Sequence, residues 1–330
     1  MQAQNLDLAS RYAHINARKA ERCAACGTYL AFAVYKNAQT QELKRILSEA
    51  NFCKARFCPM CAWLKAKKQI SYFYRVFKAI EAKRRVGYIF LHLTIKNAPL
   101  EALKCNLGHM SKAWHKLVKR KAFKNAFLGF VRATEFIGDQ TPPHECHPHY
   151  HAILVAPSRY FVSELYLSQA KITALWQASL KVPYTPIVHV NRIRLKKPKK
   201  GKALAQINPQ DNALLSSLLE CVKYCVKPAK VAKLSQAQFA ILDEQSKGAH
   251  QYDSGGIVKE TPPLEQDDLD PEVWEYLKTE YFTWCGMEYK RDEEVELLQE
   301  ENLQAEIENL QEEMELLQEE IKSLQENDDI

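Results

Sequence analysis

The order of apolar runs between residues 87 and 226 leaves few folds open. Gly87–Ile95 (GYIFLHLTI) is apolar and β-branched and stops at Asn97-Ala98-Pro99, a strand followed by a turn signal. Residues 100–125 return to helical spacing with lysines on one face. Ala126–Ile137 and His149–Ala156 are again strand-like, and the polar stretch GDQTPPHECHP between them predicts an antiparallel pair joined by a long hairpin loop. Ser163–Leu180 reads as a helix, Ile187–Leu195 alternates as a strand, and residues 212–226 read as a further helix. Upstream, Ile70–Lys83 carries apolar residues at helical spacing. The order β, α, β, β, α, β, α implies an α+β domain, an antiparallel sheet with helices packed on it.

Charge is segregated along the 330 residues. Residues 1–230 carry 39 Lys and Arg against 12 Asp and Glu, whereas residues 291–330 carry 2 against 16. A basic body with interleaved aromatics is the footprint of a protein that follows a phosphate backbone. No apolar run reaches the roughly 18 residues of a membrane helix, and MQAQNLDLASRYAH lacks the basic and apolar regions of a signal peptide. A cytoplasmic protein with no membrane partner is therefore expected. Ten cysteines then point to metal ligands or free thiols rather than to disulfides.

From Glu293 onward the pattern becomes heptads. Ile307, Met314 and Ile321 form one series, and Leu303, Leu310, Leu317 and Leu324 the other. Ile mostly at a with Leu at d favours a parallel two-stranded coiled coil, hence a homodimer. At the other end, Cys23-Ala-Ala-Cys26 and Cys58-Pro-Met-Cys61 are two knuckles that can close a tetrahedral, structural Zn²⁺ site. Cys53 is an alternative to Cys23 as the fourth ligand.

In HPHYHAILV, His149 and His151 are alternate residues of a strand, so they project from one face and can grip one metal ion. In ECVKYCVK, Glu220 and Tyr224 are four apart on a helix and Lys227 is three beyond the tyrosine, a phenol between a carboxylate and an ammonium. Each pattern alone is also met in ordinary strands and helix surfaces.

Taken in order, YIFLHLTIKN, GFVRATEF, HPHYHAILV and ECVKYCVK resemble the motifs of rolling-circle plasmid replication initiators, one-tyrosine members of the HUH endonuclease superfamily. FCKARFCPMCAW resembles their zinc-binding region and YDSGGIVKE the end of their catalytic domain, so the resemblance covers residues 21–262. It implies a sheet with the HUH strand pair at its centre. It also implies Tyr224 as the nucleophile that forms a 5′-phosphotyrosine and frees a 3′-OH, and His149 and His151 as ligands of Mg²⁺ or Mn²⁺. Such a hard cation needs oxygen ligands as well, and Glu135 in GFVRATEF fits a carboxylate on the neighbouring strand. Glu220 would activate water at termination, with Lys223 and Lys227 near the phosphate or the phenolate. Lys196, Lys197, Lys199 and Lys200, in a basic loop, are candidate DNA contacts.

Two departures stand out. His92 occupies a position that is usually threonine in the family, and Pro228-Ala229-Lys230 lacks an acidic residue often found there. His147 shares the parity of the histidine pair and is a candidate supporting group. The organisation expected is a zinc module over 1–70, an endonuclease domain over 71–262, a linker and helix over 263–290 and an acidic coiled coil over 291–330. Partners implied are single-stranded or hairpin origin DNA and the host helicase and polymerase. A zinc-containing DNA-binding regulator, a coiled-coil scaffold and a transposase of the same superfamily are the competing readings.

Overall fold

A computed structural model describes residues 1–194, 213–222, 225–265 and 273–293, with residues 309 and 314. Along the chain run α1 (Gln2–Ala13), α2 (Ala17–Ala24), β1 (Tyr29–Asn37), β2 (Leu43–Ala50) and α3 (Pro59–Lys83). Next come β3 (Val86–Thr94), β4 (Ala98–Pro99), α4 (Leu103–Lys119), α5 (Lys121–Ala126), β5 (Gly129–Glu135), β6 (Glu145–Cys146) and β7 (His149–Pro157). They are followed by α6 (Gln169–Leu180), β8 (Val188–Ile193), α7 (Ala213–Cys221), α8 (Pro228–Val231) and α9 (Gln236–Gln245). The last are β9 (Tyr252–Gly256), α10 (Ile257–Glu260), β10 (Trp274–Trp284) and β11 (Tyr289–Arg291). Two compact units are formed, Met1–Ala24 with Cys53–Gln266, and Ala25–Phe52 with Asp267–Ile330. Among the described residues no helix is long and apolar enough to cross a membrane.

The first unit is built on a five-stranded antiparallel sheet in the order β8-β3-β7-β5-β9. The α+β class and the central place of the histidine strand agree with the sequence. Alternation along β7 explains its position. Tyr150, Ala152 and Leu154 point into one core with Trp114 of α4 and Trp176 of α6. Ile153 and Val155 point into the other, with Phe77 of α3 and Leu218 of α7. A strand apolar on both faces belongs in the middle of a covered sheet. On the first face Arg132 is buried, 4.0 Å over the Tyr150 ring and 2.9 Å from the Asp253 carboxylate. That pair ties β5, β7 and β9 together.

The helices depart from their expected limits for local reasons. α3 begins at Pro59 rather than Ile70, with Cys58 as its N-cap and Pro59 in the first turn, where a missing N–H costs nothing. The segment 100–125 is interrupted at Arg120, whose backbone is extended. α6 starts only at Gln169, where the Ser168 side chain accepts from the Lys171 N–H.

The second unit is a four-stranded antiparallel sheet in the order β11-β10-β1-β2. Arg45 of β2 pairs at 2.7 Å with the buried Glu280 of β10. Residues 263–290, expected as linker and helix, thus contribute strands, and residues 29–50 pair with them rather than completing a serial module over 1–70. The cause is long-range pairing: Tyr29 lies opposite Thr283 and Asn37 opposite Trp274. All of the heptad segment except residues 293, 309 and 314 lies outside the described residues.

Candidate functional site

Two rows of side chains cross the sheet beyond the edge of the core under α3 and α7. In one, Thr94 of β3, His149 of β7 and Glu135 of β5 stand opposite one another. In the next, His189 of β8, His92 of β3 and His151 of β7 do so. The strand period places both rows on one face.

The Glu135 Oε2 lies 3.2 Å from His149 Nε2 and 3.3 Å from His151 Nε2, and Glu135 and His149 are buried. Burial alone would raise the Glu135 carboxyl, but the hydrogen bonds and charges of the two histidines outweigh it and hold it at about 2. His149 Nδ1 sits 2.8 Å from the His147 carbonyl, which can only accept, so Nδ1 carries the proton. Nε2 is then the His149 nitrogen turned toward the Glu135 carboxylate oxygen, and an outer Nδ1–H···O=C bond is the usual way a metal-ligating imidazole is fixed.

His92 joins this cluster. Ligand atoms of His92, His149 and His151 all lie within 4.8 Å of one another, a group that could hold a metal ion. His92 Nε2 and His151 Nδ1 are buried without a hydrogen-bond partner. Burial, and then the neighbouring histidines, push the His92 ring down to about 3, so it is neutral near pH 7. The donors therefore fit a cation. His147 flanks them, its Nδ1 2.6 Å from Asn97 Oδ1. The place of His189, its ring stacked 5.8 Å from that of His92, escaped the sequence reading; the alternation of β8 was the signal for it.

Lys223 and Tyr224 lie outside the described residues, as do Lys196, Lys197, Lys199 and Lys200. On the near side of Tyr224, the Cys221 thiol donates to the His151 carbonyl at 3.2 Å. On the far side, the Cys225 carbonyl accepts from the N–H of Phe136, next to Glu135, at 2.7 Å. Glu220 is exposed on α7 and lines a cavity of about 640 Å³ with Phe90, Asn191, Arg192 and Arg194. The Phe90 ring is 5.8 Å from that of His151, so the cavity borders the histidine cluster. Lys227 is paired with Asp139 at 2.5 Å, and that hydrogen bond raises its ammonium above the usual lysine value.

The second cluster is of thiols. Within the first unit, ligand atoms of Cys53, Cys58 and Cys61 lie within 4.8 Å of one another and could hold a metal ion. Cys53 takes the place expected for Cys23. The chain turns through Lys54 at φ 59°, and the N–H groups of Lys54 and Ala55 point to the sulfurs of Cys61 and Cys53. Cys23, in α2, stands beside Cys53, and that contact with burial raises its thiol.

Residues 44–299 match the family described as replication protein. The chain belongs to that family. A Rep protein of a Bacillus species is 37% identical over 228 residues, covering 66% of this chain and 69% of the relative. One from Lentilactobacillus hilgardii is 30% identical over 308 residues, covering 85% and 93%. One from Streptococcus pneumoniae is 29% identical over 246 residues, covering 73% and 70%. No solved structure matches. The replication protein match takes in both histidine rows, Glu135, the segment around Tyr224, and Cys53, Cys58 and Cys61, whereas Cys23 and Cys26 precede it.

Proposed function

We propose that this replication protein initiates rolling-circle replication of a plasmid by cutting one strand of origin DNA through Tyr224. The Tyr224 oxygen bonds to the scissile phosphorus as the bond from phosphorus to the 3′ oxygen breaks. The phenolic proton ends on the released 3′-OH, and the 5′ end stays on the tyrosine. The observation that carries this reading is the meeting of His149, His151 and Glu135 on neighbouring strands, with the residues on both sides of Tyr224 bonded to those strands.

Mg²⁺ or Mn²⁺ held by His149, His151 and Glu135 would polarise the phosphate oxygens. Around it the chain's own groups position and shield. His147 orients His149 through its carbonyl, and Glu220 lies on the helix before Tyr224, where it takes a proton from water when the round terminates. Lys227, Lys223 and the lysines at 196, 197, 199 and 200 supply positive charge to the backbone of single-stranded or hairpin origin DNA. The thiol cluster holds structural Zn²⁺. The acidic heptads pair two chains, and the protein works in the cytoplasm with the host helicase and polymerase.

The test is incubation with a labelled single-stranded origin oligonucleotide and Mn²⁺, followed by denaturing electrophoresis. A DNA–protein adduct that survives denaturation is expected. Binding without an adduct at any metal concentration would instead assign the chain to the DNA-binding regulators.

A further inference from the structure

His92 is more than a filler of the sheet. Its ring lies 4.8 Å from that of His151 with an interplanar angle of 17°, and 4.8 Å from that of His149. A core histidine ordinarily spends both nitrogens on hydrogen bonds, because a buried polar atom left without a partner loses its hydration with nothing in return. Here Nε2 is buried and has none. The cost is met if an electrophile stands among the three rings, and their ligand atoms are close enough to share one.

We infer that His92 is a third imidazole ligand of the centre formed by His149, His151 and Glu135, and that the resulting three-nitrogen, one-carboxylate set selects Mn²⁺ over Mg²⁺. The inference rests on the metal-centre reading above. Mg²⁺ takes oxygen ligands, keeps its water and gains little from imidazole, whereas first-row transition ions bind imidazole with increasing strength along the series. Each nitrogen added to the set therefore widens the gap between the two ions. Two histidines and a carboxylate leave the ion mostly to oxygen and water. A third nitrogen tips the site toward the softer ion. His189, stacked on the outer side of His92 at 5.8 Å, positions that ring and is not itself within the ligand group.

The experiment uses the full-length, zinc-loaded protein, since Mn²⁺ does not displace zinc from thiolates. Mn²⁺ is titrated by electron paramagnetic resonance, with Mg²⁺ as competitor, and the nitrogens bound to Mn²⁺ are counted from their modulation of the echo. Three imidazole nitrogens are expected in the wild type and two in His92→Thr. The variant should bind Mn²⁺ more weakly by on the order of 10–100-fold, while its Mg²⁺ affinity changes far less. Two nitrogens in the wild type would overturn the inference and leave the metal centre standing. No bound Mn²⁺ in the wild type would overturn the metal centre and this inference together. The nitrogen count in the wild type needs no variant, so a poorly folded His92→Thr leaves the question decided.

Discussion

Glu135 stands directly opposite His149 across the β5–β7 ladder, its Oε2 3.2 Å from Nε2, although 13 residues separate them in the sequence. One carboxylate thereby reaches both histidines of the motif. Glu135→Gln keeps the size and removes the charge. Nicking by this variant should fall at least as far as in His149→Ala or His151→Ala, on the order of 10²-fold or more. Oligonucleotide cleavage against Mn²⁺ concentration measures it. Near-normal nicking by Glu135→Gln at low Mn²⁺ would remove the carboxylate from the centre.

Tyr224→Phe removes only the phenolic oxygen. The variant should bind origin DNA with unchanged affinity in a shift assay and give no adduct on a denaturing gel. An adduct in that variant would move the nucleophile elsewhere.

In the proposed mechanism Glu220 acts only at termination, after the first cut. Glu220→Gln should nick at a near-normal rate and accumulate covalent or over-extended products, with termination slowed on the order of 10²–10⁴-fold. The plain alternative is a helix-surface carboxylate, whose pairing with a lysine contributes about 0.2–0.5 kcal/mol. Normal termination by a stable Glu220→Gln protein would settle for that.

The thiols give a clean comparison. Cys53→Ser should lose the zinc, and Cys23→Ser should keep it, because only the former lies in the thiol group with Cys58 and Cys61. Elemental analysis of the two purified variants decides between them. Zinc lost from Cys23→Ser and kept in Cys53→Ser would restore the ligand set expected from the knuckle spacing.

Acid sensitivity follows from His92. Its folded value of about 3 lies below the ordinary 6.5. Between those values the unfolded chain holds a proton that the folded chain does not, so stability rises with pH there. It is fully present above about 6.5 and declines as pH falls toward 3. In chelator-treated protein, His92→Thr should lose less thermal stability than the wild type between about pH 7 and pH 5. Equal losses in the two proteins would place the acid-sensitive group elsewhere.

The histidine strand was legible in the sequence because a period of two needs no partner to be seen: His149 and His151 must share a face. Glu135 was legible only through the motif order, and its bond to both histidines needed the ladder. The pairing of β1 with β10 was hidden, since Tyr29 and Thr283 are brought together by the fold and nothing local to WEYLKTEYFTW names its partner. Cys53 was left open for a related reason. Spacing shows which thiols can meet, whereas the left-handed turn at Lys54 decides which do.

The two faces of β7 carry one further consequence. Tyr150 and Ala152 are held in the core by Trp114 and by the Arg132 stack, and His149 and His151 are the residues on either side of Tyr150. A slip of one residue along β7 would carry Tyr150 out of its core and drive an imidazole in among the tryptophans. Frame and reagent are thus threaded on a single strand. A chain that has found its native register has already brought both imidazoles to Glu135, and a chain that has not holds them apart from it.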